Sequence, residues 1–341
     1  MNCFAVNETT ERNVLEYAND LEISAQIRII RYQWNLVFTS LGMILNALVC
    51  IAILRFPNPA IKINPLLLCH SIIDFLFALI YFLFGRYLFV GYNRVYTVYD
   101  GIVQVSGPIV LLFINLAMIV ILIASWNITI AQFLYRNEQP RGRRLLFFLL
   151  FCFLFAATHL YTMLGGFSAP SSSEDIEESV VIIRHYGYDV QPFSVFGKRP
   201  DPQPKAVQVM PLFFSLFGFF LILCFAIATR RTLRQSAGMK VAVTRKLNDS
   251  MDKTLLCMGA IPLISIVLPT VLTSALTHRC ESNAVPLLFT FTCSVCAPFF
   301  NSIVTLIFIR HYRNAILQLI TFGYWEQLRR SRSSVLFTSK Q

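Results

Sequence analysis

Charge is the scarcest property of this chain. Only 14% of its 341 residues are Asp, Glu, Lys or Arg, where a soluble globular protein carries about a quarter. That shortage excludes a water-soluble domain of this size. Catalytic constellations are missing too. The apolar stretches hold no paired carboxylates, no Ser/Lys or Ser/His pair and no cluster of zinc ligands, which argues against an intramembrane enzyme and implies neither metal nor cofactor. His70 and His159 stand alone on apolar stretches, where a histidine is expected to hydrogen-bond locally. Most of the nine cysteines are unavailable for extracellular bridges. Cys50, Cys69, Cys152, Cys224, Cys257, Cys293 and Cys296 fall in apolar runs and read as small packing residues. Cys293 and Cys296 have C-x-x-C spacing but no partner ligands. Only Cys3 and Cys280 lie in segments expected on the oxidising side, where they are the candidates for a disulfide.

What the chain has is hydrophobic length. Hydrophobic residues make up 56% of it, with mean hydropathy +0.60. Seven runs are each long enough to cross a bilayer as a helix, which takes roughly 20 residues. They are Trp34–Leu54, Pro65–Phe84, Gly101–Ser125, Leu145–Phe167, Val207–Thr229, Thr254–Leu276 and Pro286–Ile309. The expected fold is therefore an all-α, seven-helix transmembrane bundle. It divides into an outer segment over 1–32, a membrane domain over 33–309 and an inner helix and tail over 310–341. The first run is expected to act as an uncleaved signal anchor.

The net charge of +11 invites a nucleic-acid reading, but its distribution opposes one. The inter-run segments that alternate starting from the second hold 19 Lys and Arg, and the others hold 10. Basic residues collect on the cytoplasmic side, so the N-terminus is expected outside and the C-terminus inside. Acids agree, with 13 in the outer segments and 4 in the inner ones. The excess positive charge thus reflects topology and contact with anionic lipid. Asn7, in Asn7-Glu8-Thr9, is an N-glycosylation acceptor on the outer side.

Polar residues inside the runs carry the functional argument. Asp74 is the one acid placed squarely within a span, and such residues are costly and usually functional. It is expected to be a cation or proton site, or part of a conformational switch. Asn46, Asn115 and Asn301 also sit within runs, either fixing packing between helices or joining that switch. Pro269, midway along the sixth run, is the strongest kink candidate.

On the inner side, Arg230, Arg231, Arg234, Arg245 and Lys246 precede the sixth run, and Arg136, Arg143 and Arg144 follow the third. They read as lipid contacts and as a docking surface for a protein partner. After Ile309 an apolar stripe through Tyr312, Ile316, Leu319 and Ile320 beside Arg310 and Arg313 has helical periodicity, as in a helix lying in the membrane interface. In the long second outer loop, Val180 to Tyr186 and Val190 to Phe196 are rich in β-formers and are expected to make a hairpin lid.

Seven runs with the N-terminus outside resemble G-protein-coupled receptors. Asn46 and Asp74 resemble the first-helix Asn and second-helix Asp of the rhodopsin-like family at their usual separation. Pro269 is similar to its sixth-helix proline, and Asn301 to the Asn of its seventh-helix Asn-Pro-x-x-Tyr. The departures are specific. Trp126-Asn127-Ile128 stands where Asp-Arg-Tyr would end the third helix, and Val267 replaces the toggle tryptophan. Asn301-Ser302-Ile303-Val304-Thr305 lacks Pro and Tyr, and the cysteines of the usual outer disulfide are absent. The stretch Pro298 to Arg313, closing on the aromatic–Arg pair Tyr312-Arg313, and Phe56-Pro57-Asn58-Pro59 resemble the nematode serpentine chemoreceptors.

That resemblance implies a chemosensory receptor in the plasma membrane, in a sensory cilium for example. It would transmit an extracellular small molecule or peptide to a heterotrimeric G protein. The implied switch set is Asn46, Asp74, Asn127, Pro269 and Asn301. Serines in Arg329-Arg330-Ser331-Arg332-Ser333-Ser334 offer phosphorylation sites for an arrestin-like partner. The rival reading is an ion-coupled secondary transporter using Asp74, which the absence of an internal repeat disfavours.

Overall fold

The computed structural model describes residues 12–56, 64–91, 94–105, 107–137, 195–198, 253–261, 263–268 and 284–321, with isolated positions between 157 and 271. Helix α1 (Arg12–Arg55) is continuous over 44 residues, about 66 Å at 1.5 Å per residue. Its apolar part, Arg28–Arg55, is of crossing length. The helix begins well ahead of the first apolar run because polarity alone does not end a helix. Helix α2 (Asn64–Phe84) matches the second run. Pro65 lies in its first turn, where a missing N–H costs nothing.

Helix α3 (Pro108–Asn137) departs from the expected third span at both ends. Gly107 adopts φ +98°, a left-handed conformation open to glycine, and Pro108 follows as the first helical residue. The C-terminal end runs twelve residues past Ser125. It does so because the polar residues there are accommodated within the helix. Asn127 donates to the Ile123 carbonyl at 2.9 Å and Thr129 to the Ser125 carbonyl at 3.0 Å. Trp126-Asn127-Ile128 therefore lies well inside the helix, and the last turn reads Tyr135-Arg136-Asn137.

The sixth run contains helix α4 (Lys253–Ser265), whose end passes into a π-helical turn over Leu263–Val267. Helix α5 (Ala284–Phe308) is the seventh run, with Pro298 inside it. Helix α6 (Arg310–Ile320) turns away from it by 100°. Among the described residues, α1, α2 and α3 each hold a segment long and apolar enough to cross a membrane, and the bent α5–α6 pair adds a fourth.

Helix α1 packs on both α2 and α5, and α2 packs on α3. Two apolar clusters hold this arrangement. The inner one joins Val49, Ala52 and Ile53 of α1, Leu67 of α2, Ile130 of α3, Leu255 and Met258 of α4, and Tyr312, Ala315 and Ile316 of α6. Tyr312 is 0% exposed. Tyr312 and Ile316 of the stripe thus seat α6 against the bundle while Ile320 stays exposed, and His311 Nε2 contacts the Phe56 carbonyl at 2.7 Å, linking α6 to the end of α1. The outer cluster joins Phe77 and Tyr81 with Tyr99, Val105, Leu111, Ile114, Met118 and Val295.

Outside the helices lies a three-stranded antiparallel sheet of order β1-β2-β3. Strands β1 (Arg86–Gly91) and β2 (Arg94–Tyr99) lie in the connection between α2 and α3, and β3 (Val195–Lys198) comes from the stretch between the fourth and fifth runs. The register pairs Arg86 with Tyr99, Val95 with Lys198 and Val98 with Val195. This revises the expected hairpin within the second loop. Its return strand pairs with β2 instead, while Val180 and Arg184 are helical and Val180 is buried. Val180 packs in a core, and burial there overrides intrinsic β preference. At the foot of the sheet, Asp100 accepts from Arg28 Nε at 3.1 Å and from Arg31 Nη2 at 3.0 Å. Burial lifts the Tyr99 phenol to about 12, against the lowering influence of Arg86.

Candidate functional site

Asp74 and His70 lie one helical turn apart on α2, so both side chains leave the same face. Both are buried, Asp74 at 3% and His70 at 1% exposure. Asn301 of α5 donates its amide to Asp74 Oδ2 at 2.8 Å, and the same amide nitrogen lies 3.4 Å from His70 Nε2. His70 Nε2 is 3.5 Å from Asp74 Oδ2. From α3, Ser125 hydrogen-bonds the same carboxyl, and Gln132 Nε2 reaches His70 Nδ1 at 3.1 Å and the Leu66 carbonyl at 3.3 Å. One carboxyl and one imidazole thereby join three helices.

The Leu66 carbonyl only accepts, so the Gln132 nitrogen, not its oxygen, faces it. The same nitrogen faces His70 Nδ1. The carboxylate likewise orients the Asn301 amide. The amide oxygens of Gln132 and Asn301 are buried and make no hydrogen bond among the described residues. Interhelical hydrogen bonds in membranes are worth roughly 0.6 kcal/mol each, up to about 1.7.

The expected switch residues separate into groups. Asp74 and Asn301 meet directly. Asn46 joins a turn away: its amide donates to the Gly42 carbonyl at 2.8 Å and to the Pro298 carbonyl at 3.1 Å. Pro298 O also accepts from the Ser302 hydroxyl at 3.0 Å. Asn127 is not brought in, because its amide is bonded within its own helix. Asn115 is buried, and its amide oxygen has no partner among the described residues. Pro269 lies outside the described residues, as do Arg143, Arg144, Arg230, Arg234, Arg245, Lys246, Asn7, Cys3 and Cys280. Arg136 occupies the last turn of α3, and Arg231 is exposed.

His70 hydrogen-bonds with its neighbours, as its sequence setting predicts, and its partners come from other helices as well as its own. Its i, i+4 relation to Asp74 was visible in the sequence. Gln132 was not, because it falls beyond the apolar run. Among the described residues no three His, Cys, Asp or Glu side chains gather as a metal site. Cys296 instead accepts from Trp34 Nε1 at 3.1 Å, joining α5 to α1.

Apolar crossing helices with a buried acid–amide cluster at their centre define a polytopic helical membrane protein. The family model for the serpentine type 7TM GPCR chemoreceptor Srd matches residues 32–318, and the chain belongs to that family. It is a seven-transmembrane, GPCR-like chemosensory receptor family, not an enzyme family. A comparison with curated proteins finds none that matches.

Proposed function

We propose that this receptor binds an extracellular small molecule or peptide between the outer halves of its helices and passes that event to a heterotrimeric G protein. The observation that carries the reading is the Asp74–His70–Asn301–Gln132 cluster, which ties α2, α3 and α5 through interactions weak enough to rearrange. A ligand that favours one arrangement shifts the population of the whole bundle. In the proposed orientation, with the N-terminus outside, Asn7 is glycosylated and Cys3 and Cys280 face the oxidising side. Arg136, Arg143, Arg144, Arg230, Arg231, Arg234, Arg245 and Lys246 then face the G protein and anionic lipid. The tail serines recruit an arrestin-like partner once phosphorylated. The site of action is the plasma membrane, as in a sensory cilium.

The finding that Arg136 stands in the last turn of α3 supports the coupling. The helix end does carry an arginine, which the shorter expected span had left outside it. A secondary transporter with Asp74 as coupling residue is the rival, and family membership favours the receptor.

The test is nucleotide exchange on a panel of G proteins, with pooled volatile and water-soluble chemicals as stimuli. A response that disappears when 230–253 is replaced by a neutral loop supports the reading. Silence at verified surface expression, with chemical-dependent ion uptake abolished by Asp74→Asn, overturns it.

A further inference from the structure

Two prolines, Pro262 and Pro269, bracket the π-helical turn over Leu263–Val267. In an α-helix the N–H of residue 269 would bond to the carbonyl of residue 265. Pro269 has no N–H, so the Ser265 carbonyl loses that partner by covalent structure alone. Ser265 is buried at 3% exposure, where an unmade hydrogen bond is costly. The partner comes from the neighbouring helix: the Ser294 hydroxyl of α5 donates to the Ser265 carbonyl at 2.5 Å. The π-helical turn packs against α5. Two residues further along α5, Cys296 is held by Trp34 of α1. Ser294 thus stands on a stretch of α5 that is itself anchored to α1.

We infer that Ser294 is a positioning residue that latches the π-helical turn of the sixth run to the seventh through the Ser265 carbonyl, to which Pro269 can offer no α-helical N–H, and that releasing this bond is a condition for the inner half of α4 to leave the bundle. The inner half is otherwise seated by Leu255 and Met258 in the cluster around Tyr312. Those contacts are apolar and short-ranged, and lipid tails replace them readily. The hydroxyl-to-carbonyl bond has no such substitute in hydrocarbon. π-Helical turns recur at functional points in helices, and here the turn supplies the acceptor. The inference rests on the receptor reading for its consequence, though not for its geometry.

The experiment is hydrogen–deuterium exchange across residues 253–268 in the full-length receptor, paired with G-protein nucleotide exchange. Ser294→Ala is expected to speed amide exchange about fivefold, the population shift of one lost hydrogen bond of ordinary net worth. Ser294→Thr keeps the hydroxyl and is expected to match the parent. Ser265→Ala keeps the carbonyl and is expected to do the same. In a Pro269→Ala background, which restores the N–H, the effect of Ser294→Ala is expected to shrink. Equal behaviour of Ser294→Ala and Ser294→Thr, or an undiminished Ser294→Ala effect in the Pro269→Ala background, overturns the latch. Faster amide exchange in Ser294→Ala, with no nucleotide exchange from any variant or from the parent, supports the latch and counts against G-protein coupling. Ligand-stimulated nucleotide exchange with unchanged amide exchange in Ser294→Ala overturns the latch and leaves the receptor reading standing.

Discussion

Asn301 on the seventh run gives its side-chain amide to the carboxylate of Asp74 on the second at 2.8 Å. The two groups meet directly across helices, so they should be energetically coupled. Single changes Asp74→Ala and Asn301→Ala are each expected to lower thermal stability in detergent. The double variant is expected to lose less than their sum, by about 1–2 kcal/mol. Strict additivity would place the two residues in independent environments.

Gln132 holds the other side of the His70 ring. Gln132→Leu leaves His70 Nδ1 and one contact of the Leu66 carbonyl unmet, at a cost of about 1–2 kcal/mol. Asn127→Leu, removing an amide bonded only within its own helix, is expected to change stability by less than about 0.5 kcal/mol. Thermal unfolding of the two variants side by side checks the ranking, and a larger loss at Asn127 would reverse the assignment of the α3 contact.

Tyr312 is fully buried where α1, α2, α3, α4 and α6 converge. Tyr312→Ala opens a cavity and is expected to cost about 3 kcal/mol. Tyr312→Phe keeps the volume and is expected to cost far less. Melting temperatures of the two variants, read with surface expression, decide between packing and the hydroxyl as its contribution.

At the outer face, Asp100 holds Arg28 and Arg31 together with less than a third of any of the three side chains exposed. Asp100→Asn is expected to lower stability by about 1–2 kcal/mol. Added salt should narrow the difference from the parent, since partial exposure lets ions screen the pairs. A salt-independent difference would point to packing and not to charge.

The Tyr99 phenol, raised to about 12 by burial, gives a pH dependence of known sign. Its folded-state value exceeds the ordinary one near 10, so the neutral phenol is favoured by folding. That stability is complete below about pH 10 and is lost as pH rises towards 12. The parent should therefore lose more stability than Tyr99→Phe between about pH 10 and about pH 12. Parallel curves would count against a buried neutral Tyr99.

Hydropathy located α2 and α5 to within two residues at each end, because both begin and end where apolar character does. It misplaced α3, whose inner turns carry Asn127, Thr129 and Gln132. Side chains that bond to their own helix or to a neighbour let polar residues continue a helix, and a hydropathy count cannot see that. Asp74 and Asn301 were legible because charged and amide groups are rare at such depth. Gln132 and Ser294 were not, because each acquires meaning only from the helix beside it. The pairing of β3 with β2 was invisible for the same reason: the residues before β3 have β character, but partner choice is set by a strand about a hundred residues earlier.

That pairing joins the two outer loops by a ladder of main-chain hydrogen bonds. The usual covalent bridge of the rhodopsin-like family has no cysteines here. The β2–β3 join is consequently indifferent to redox conditions, and reductant should leave it intact. A ladder is also reversible where a disulfide is not. Separating β2 from β3 therefore breaks only main-chain hydrogen bonds and needs no bond chemistry.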